Sequence, residues 1–281
     1  MAESHQNNVS DLRDVIRLPE YLVQNKDGLW HGEFNGYRLR STFQPIYRRG
    51  DGCTLDLEGF EGLVRPIASG LDYSADDFFS SVSPEESFVA DWICRAIHFR
   101  NFALSGGGQR KLFVNISPMN YQQFVDSAYD FKTTPDRLAR FGLAMRQAVF
   151  EIIETDSMDF QVLQDVVAIY REMGASIALD DFGSKHSNID RMVALSPDVV
   201  KLDYSLLREA SNRDDVGKLV RSLIAMAGDF GSEVLVEGIE NREEFDFAMS
   251  TSALMLQGYF LGTPSPRIQM VPTKLDVRNL I

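Results

Sequence analysis

The chain has 281 residues, 44% hydrophobic and 25% charged, a balance that excludes wholesale disorder. With 41 acidic and 28 basic residues its formal charge is −13, which argues against electrostatic capture by DNA or by an anionic membrane. Its two cysteines, Cys53 and Cys94, fall in no metal-ligand spacing, no apolar run approaches the roughly 18–20 residues of a membrane span, and the first residues lack a secretory pattern, so a cytoplasmic protein is expected.

Residues 1–37 show no regular alternation and are expected to form an irregular N-terminal extension: a lid, a dimer arm or a disordered leader. Beyond them β-rich runs alternate with amphipathic segments. Residues 42–47 read as a strand, made irregular or an edge by Pro45, and residues 57–64 as the next. Gly106-Gly107-Gly108 reads as a helix-to-strand linker before a strand over 111–116. Thr134-Pro135 supplies a capping hydroxyl and a first-turn proline for a helix. A strand over 149–153 precedes Leu163, Val166, Val167, Tyr170 and Met173, which recur at helical spacing up to a stop at Gly174. Strands over 176–179 and 199–202 follow, then a helix carrying Val216, Leu219, Val220, Leu223 and Met226. A strand over 233–236 and a last one around 254–257 complete the series. About eight strands, most separated by helices, predict an α/β fold, a single (β/α)₈ TIM-like barrel over residues 38–268, with a doubly wound open sheet as the alternative. Residues 269–281 form an uninformative tail.

Polar residues gather where the predicted strands end. They are Glu61, Asn115, Glu151 with Glu154, Asp180 with Asp181, Lys201 with Asp203, Glu237 and Gln257. In such a barrel these ends converge on the face that carries catalysis. One carboxylate there is an ordinary helix cap; carboxylates at five strand ends are not. So many like charges need neutralising, and an all-oxygen set with no converging His or Cys favours Mg²⁺ or Mn²⁺ over zinc. The adjacent Asp180 and Asp181 suit a two-metal site for in-line phosphoryl displacement. Lys201 fits as the group that orients the attacking water, and Arg65 as a fork for a phosphate. The residues therefore spell a metal-dependent phosphohydrolase. Asp181-Phe182-Gly183 matches a kinase tripeptide, but no HRD loop or glycine-rich phosphate loop accompanies it. A glycosidase would not need five acidic strand ends with Asn115 and Lys201. His98 reads as a helix-surface or core-edge residue, and His186 as a loop residue.

The order of motifs resembles the EAL-domain family of bacterial cyclic-di-GMP phosphodiesterases over roughly residues 38–268. The matching stretches are Phe43-Gln44-Pro45-Ile46, Gly59 to Arg65, Val114 to Pro118, Glu151 to Glu154, Asp180 to Ser184, Pro197 to Asp203, Glu237 to Glu240 and Gln257-Gly258-Tyr259. The resemblance implies hydrolysis of cyclic-di-GMP to linear pGpG with two Mg²⁺ or Mn²⁺ ions. It implies Glu61, Asn115, Glu151 and Asp180 as ligands of one metal and Asp180, Asp181 and Glu237 around the other. Lys201 would hold the nucleophilic water and Glu237 would be the base, with Gln44, Arg65 and Gln257 as substrate or supporting contacts. Glu154 would anchor the loop after Asp181, Glu240 would be a supporting carboxylate beside the substrate, and a homodimer would form through the barrel. Three departures stand out: Gly62 replaces the alanine of the family's tripeptide, Ile153 replaces a threonine, and Lys185-His186 interrupts the loop that in relatives couples dimer to metal. A catalytically silent cyclic-di-GMP receptor, or an adaptor acting through an unidentified protein partner, is the alternative function.

Overall fold

The computed structural model describes residues 18–116, 134–152, 160–183 and 189–280. Two long strands, β3 (Tyr37–Arg49) and β4 (Thr54–Ala68), form an antiparallel hairpin, preceded by β1 (Leu22–Gln24) and β2 (Trp30–Phe34) and followed by the short β5 (Leu71–Asp72). The connection between β3 and β4 is far too short for a crossover, so the pair has to be antiparallel. After it come β6 (Lys111–Ile116), β7 (Ala148–Ile152), β8 (Ser176–Phe182), β9 (Val199–Leu202), β10 (Glu233–Val236) and β11 (Met255–Leu256), β6 parallel to β4 and each later strand parallel to the one before it. The last of these closes on β3 in antiparallel register. The expected α/β barrel is therefore present: eight strands form a closed ring, β4 and its six successors parallel and β3 reversed.

The described helices are α1 (Leu18–Tyr21), α2 (Ala75–Ser81), α3 (Pro84–Leu104), α4 (Thr134–Arg140), α5 (Phe160–Glu172), α6 (Ile189–Leu195), α7 (Tyr204–Asn212), α8 (Asp214–Asp229) and α9 (Arg242–Met249). The longest, α3, starts where the Ser83 hydroxyl accepts the Glu86 N–H and Pro84 takes the first turn. It is buried around most of its circumference, from Phe88 to Phe102, which erases the amphipathic stripe that would reveal it in the sequence. No described helix is long and apolar enough to cross a membrane.

Two segments depart from the irregular ends expected of the sequence. In the first, β1 pairs with β2 and β2 with β3, extending the sheet outward from the barrel. These strands are too short for a visible alternation, and β2 contains a glycine for a packing reason: a Cβ at Gly32 would stand 2.3 Å from Ile93 of α3. In the second, the tail contributes β12 (Lys274–Asp276), which pairs antiparallel with the start of β4.

The barrel interior is an apolar layer of Ile46, Phe113, Val149, Ala178, Val199, Leu235 and Met255, one from each of seven strands. Side chains on a strand face alternate sides with a period of two. The next inward positions toward the upper end are therefore Asn115, Glu151, Asp180, Lys201, Glu237 and Gln257, and, on the reversed β3, Gln44. The polar layer is the storey directly above the apolar one.

Candidate active site

Lys201 is 2% exposed and sits at the centre of this polar storey. Its ammonium lies 3.0 Å from Asp180, 3.1 Å from Glu151, 3.1 Å from Glu237 and 3.7 Å from Glu61. Four carboxylates from four strands thus face one cation. Burial drags the lysine pKa down, but Asp180, Glu151, Glu237 and Glu61 together outweigh it and hold the ammonium well above its ordinary value. The carboxylates carry the opposite strain. Burial first, then the neighbouring carboxylates, pushes Glu151 well above the usual range and Glu237 up to about 8, against the pull of Lys201.

Asp180 and Asp181 are adjacent, and in a regular strand they would point to opposite faces. A register irregularity between Leu179 and Phe182 breaks the ladder with β9, and Asp181 adopts a positive φ of 52°. This bulge re-aims the second carboxylate toward the mouth. Oxygens of Asp180, Asp181 and Glu237 consequently fall within 4.8 Å of one another. Burial, followed by the charges of Asp180 and Asp203, raises the Asp181 pKa.

Glu61 stands opposite Gln44 across the β3–β4 pair. Its Oε2 accepts a 2.7 Å hydrogen bond from the buried Gln257 amide, so that glutamine orients Glu61. Gln44 donates to the Gly262 carbonyl at 3.3 Å. A cavity of about 200 Å³ opens here between Gln44, Glu61, Glu237 and Gln257, with Glu240 and Tyr259 on its rim.

Not every expected site residue is seen to touch the Lys201 cluster. Arg65 lies four residues past Glu61 on β4, outside the Lys201 cluster, its guanidinium donating to the Val64 carbonyl at 3.1 Å. Asp203 caps α7 by accepting the Ser205 N–H at 2.9 Å. Asn115 is the register neighbour of Glu151 on the adjoining strand. Glu154 and the Ser184-Lys185-His186 loop lie outside the described residues. Two site residues were not foreseen. Glu244 is buried and accepts the Glu240 N–H at 2.8 Å, steadying that rim; Tyr259 is 58% exposed at the cavity edge. The motif Gln257-Gly258-Tyr259 pointed at the second, and nothing in the sequence at the first.

This donor set fits divalent cations. Among the described residues one ammonium faces Glu61, Glu151, Asp180, Asp181 and Glu237, and both oxygens of the fully buried Glu151 lack a hydrogen-bond donor of good geometry, although Lys201 is near. Hard oxygen ligands in excess of local positive charge are what Mg²⁺, Mn²⁺ or Ca²⁺ bind.

The sequence pattern of the EAL domain matches residues 32–264. The chain belongs to the EAL-domain family. Among relatives of this EAL protein, an uncharacterized signaling protein of Caulobacter vibrioides is 28% identical over 91% of the chain and 30% of its own length. The cyclic di-GMP phosphodiesterase NbdA of Pseudomonas aeruginosa is 26% identical over 82% of the chain and 29% of its length. The chain thus spans about a third of the curated relatives it matches. In fold it resembles Klebsiella pneumoniae BlrP1, solved as a manganese and cyclic-di-GMP complex, with a TM-score of 0.73 and 24% identity over 85% of the chain and 59% of BlrP1.

Proposed function

We propose that this EAL protein is a cyclic-di-GMP phosphodiesterase that opens one phosphodiester of the ring to give linear pGpG. The observation that carries the reading is the buried ammonium of Lys201 among the carboxylates of Glu61, Glu151, Asp180 and Glu237 at the barrel mouth. The names of relatives such as NbdA and RocR of Pseudomonas aeruginosa support the same substrate.

In this reading Glu61, Asn115, Glu151 and Asp180 hold one Mg²⁺ or Mn²⁺, and Asp180, Asp181 and Glu237 hold a second. Such ions, when bound, supply Lewis-acid polarisation of the phosphate oxygens and a more acidic water. The remaining work belongs to the chain. Lys201 donates a hydrogen bond that orients the attacking water and balances charge as the water oxygen bonds to phosphorus and the bond to the 3′ oxygen breaks. Glu237, 3.1 Å from Lys201, accepts the water proton. Arg65 clamps a phosphate oxygen with its planar fork, Gln44 and Glu240 contact substrate at the cavity, and Gln257 holds Glu61 in place. Glu154 steadies the loop after Asp181. The protein works in a reducing cytoplasm as a homodimer formed through the barrel.

The test is incubation of purified protein with cyclic-di-GMP and Mn²⁺ or Mg²⁺, with nucleotides separated by chromatography. Accumulation of pGpG, abolished by chelator, is expected. An intact ring bound to the protein would instead make it a silent receptor, and absence of binding as well would make it an adaptor.

A further inference from the structure

Gly62 follows Glu61 directly, and its α-carbon faces the other side of β4, where α3 packs. A Cβ built there would stand 3.0 Å from Cγ of His98 and 3.3 Å from its Cβ and Cδ2, tighter than the roughly 3.5–4.0 Å at which carbon atoms rest. The imidazole has little freedom to withdraw. It is 4% exposed, its Nδ1 lies 2.9 Å from Ser41 Oγ, and Phe43 meets it edge-on with ring centroids 6.4 Å apart. Ser41 and Phe43 belong to β3, and Gln44, next after Phe43, is the cross-strand partner of Glu61. One ring on the outer face therefore touches both strands of the hairpin, beside the two residues that project inward to the site. Burial, reinforced by the Arg65 charge, lowers its pKa to about 3, so it packs there as a neutral group.

We propose that His98 is a positioning residue for Glu61: tied to Ser41 and seated against the bare α-carbon of Gly62, it sets how β3 and β4 lie and so where the Glu61 carboxylate points. This rests on the reading of Glu61 as a ligand of a divalent cation. Glycine at 62 and histidine at 98 then act as a pair, and a single added methyl group at 62 pushes the strand or the ring out of place.

A double-mutant cycle of wild type, G62A, H98A and G62A/H98A tests this, with Mn²⁺ affinity by calorimetry, kcat and KM for cyclic-di-GMP hydrolysis, and melting temperature measured on each. In the wild-type background G62A is expected to weaken Mn²⁺ binding and lower kcat by about tenfold each, with KM changed by less than about twofold, as for supporting groups around metal ligands. In the H98A background the same change should cost no more than about twofold, because the space is free. Should G62A not fold, S41A decides: it loosens the ring without adding atoms and should weaken Mn²⁺ by about threefold. An equal effect of G62A in both backgrounds, no effect in either, or an S41A protein that binds Mn²⁺ like wild type overturns the inference. A wild type that neither binds Mn²⁺ nor hydrolyses overturns the functional reading as well, whereas an active wild type with an unaltered G62A overturns only the role of His98.

Discussion

The barrel carries a cluster of charged side chains at each end, built from the same residue types to opposite rules. At the lower end Arg48 donates to Glu58 at 2.8 Å and to Glu233 at 2.9 and 2.6 Å, and Lys111 meets Glu58 at 3.3 Å. Two cations balance two carboxylates there. Burial alone would raise Glu58, yet Arg48 and Lys111 overcome it and hold its pKa below the usual range. At the upper end, among the described residues, one ammonium faces four carboxylates, and the pKa values of Glu151, Asp181 and Glu237 rise instead. A closed charge balance locks the barrel bottom. An open one leaves room for added cations and for chemistry, in keeping with the division between the two faces of such barrels.

The sharpest way to separate the two ends is to remove a carboxylate from the upper one. Glu61→Ala or Asp180→Ala should lower hydrolysis by about a thousandfold or more, since on the proposed reading each deletes an oxygen ligand. Melting temperature without metal should hold or rise, because repulsion is relieved; near wild-type turnover by chromatography would refute the assignment. Lys201→Met acts on the same end with the other sign. It should cut kcat far more than it raises KM and destabilise the metal-free protein by about 3–5 kcal/mol, since it strands buried carboxylates. Added Mn²⁺ should restore part of that stability, as read in denaturant melts.

At the lower end the expected pattern inverts. Arg48→Met leaves Glu58 and Glu233 without their guanidinium and should cost about 3 kcal/mol of stability, while the proposed hydrolysis by the folded protein keeps its kcat within about twofold of wild type. A large loss of turnover without loss of stability would erase the distinction between the ends. The smallest effect belongs to His98. Its pKa falls from 6.5 to about 3 on folding, so the unfolded chain binds the extra proton between those values and stability drops as pH falls below about 6.5. At pH 5.5 this amounts to about 1.4 kcal/mol, and the corresponding slope in urea melts should disappear in His98→Gln.

Much of this was legible in the sequence because a barrel strand repeats every two residues. Phe113 and Asn115, Val149 and Glu151, Val199 and Lys201, or Leu235 and Glu237 spell one apolar and one polar storey in sequence alone. Glu61 was harder to place: β4 continues to Ala68 beyond the barrel rim, so this glutamate lies mid-strand and not at the strand end that the 57–64 reading gives it. Arg65 lies four residues further along the same long strand. The reversal of β3 was implicit in its short link to β4, whereas α3 was hidden by burial on nearly all sides. His98, read as helix-surface or core-edge, is fully in the core, because its partners Ser41, Phe43 and Gly62 lie 36 or more positions away in the chain. Contacts of that range leave no periodic trace.

The central claim, that the upper cluster is a cation site and the lower one is not, is tested most directly by the melting temperature of the protein titrated with Mn²⁺. At a hundredfold excess over the dissociation constant, wild type and Arg48→Met should both melt about 5 °C higher than without metal, and Asp180→Ala should not shift. A wild type indifferent to Mn²⁺, or an Asp180→Ala protein stabilised as much as wild type, would contradict the account.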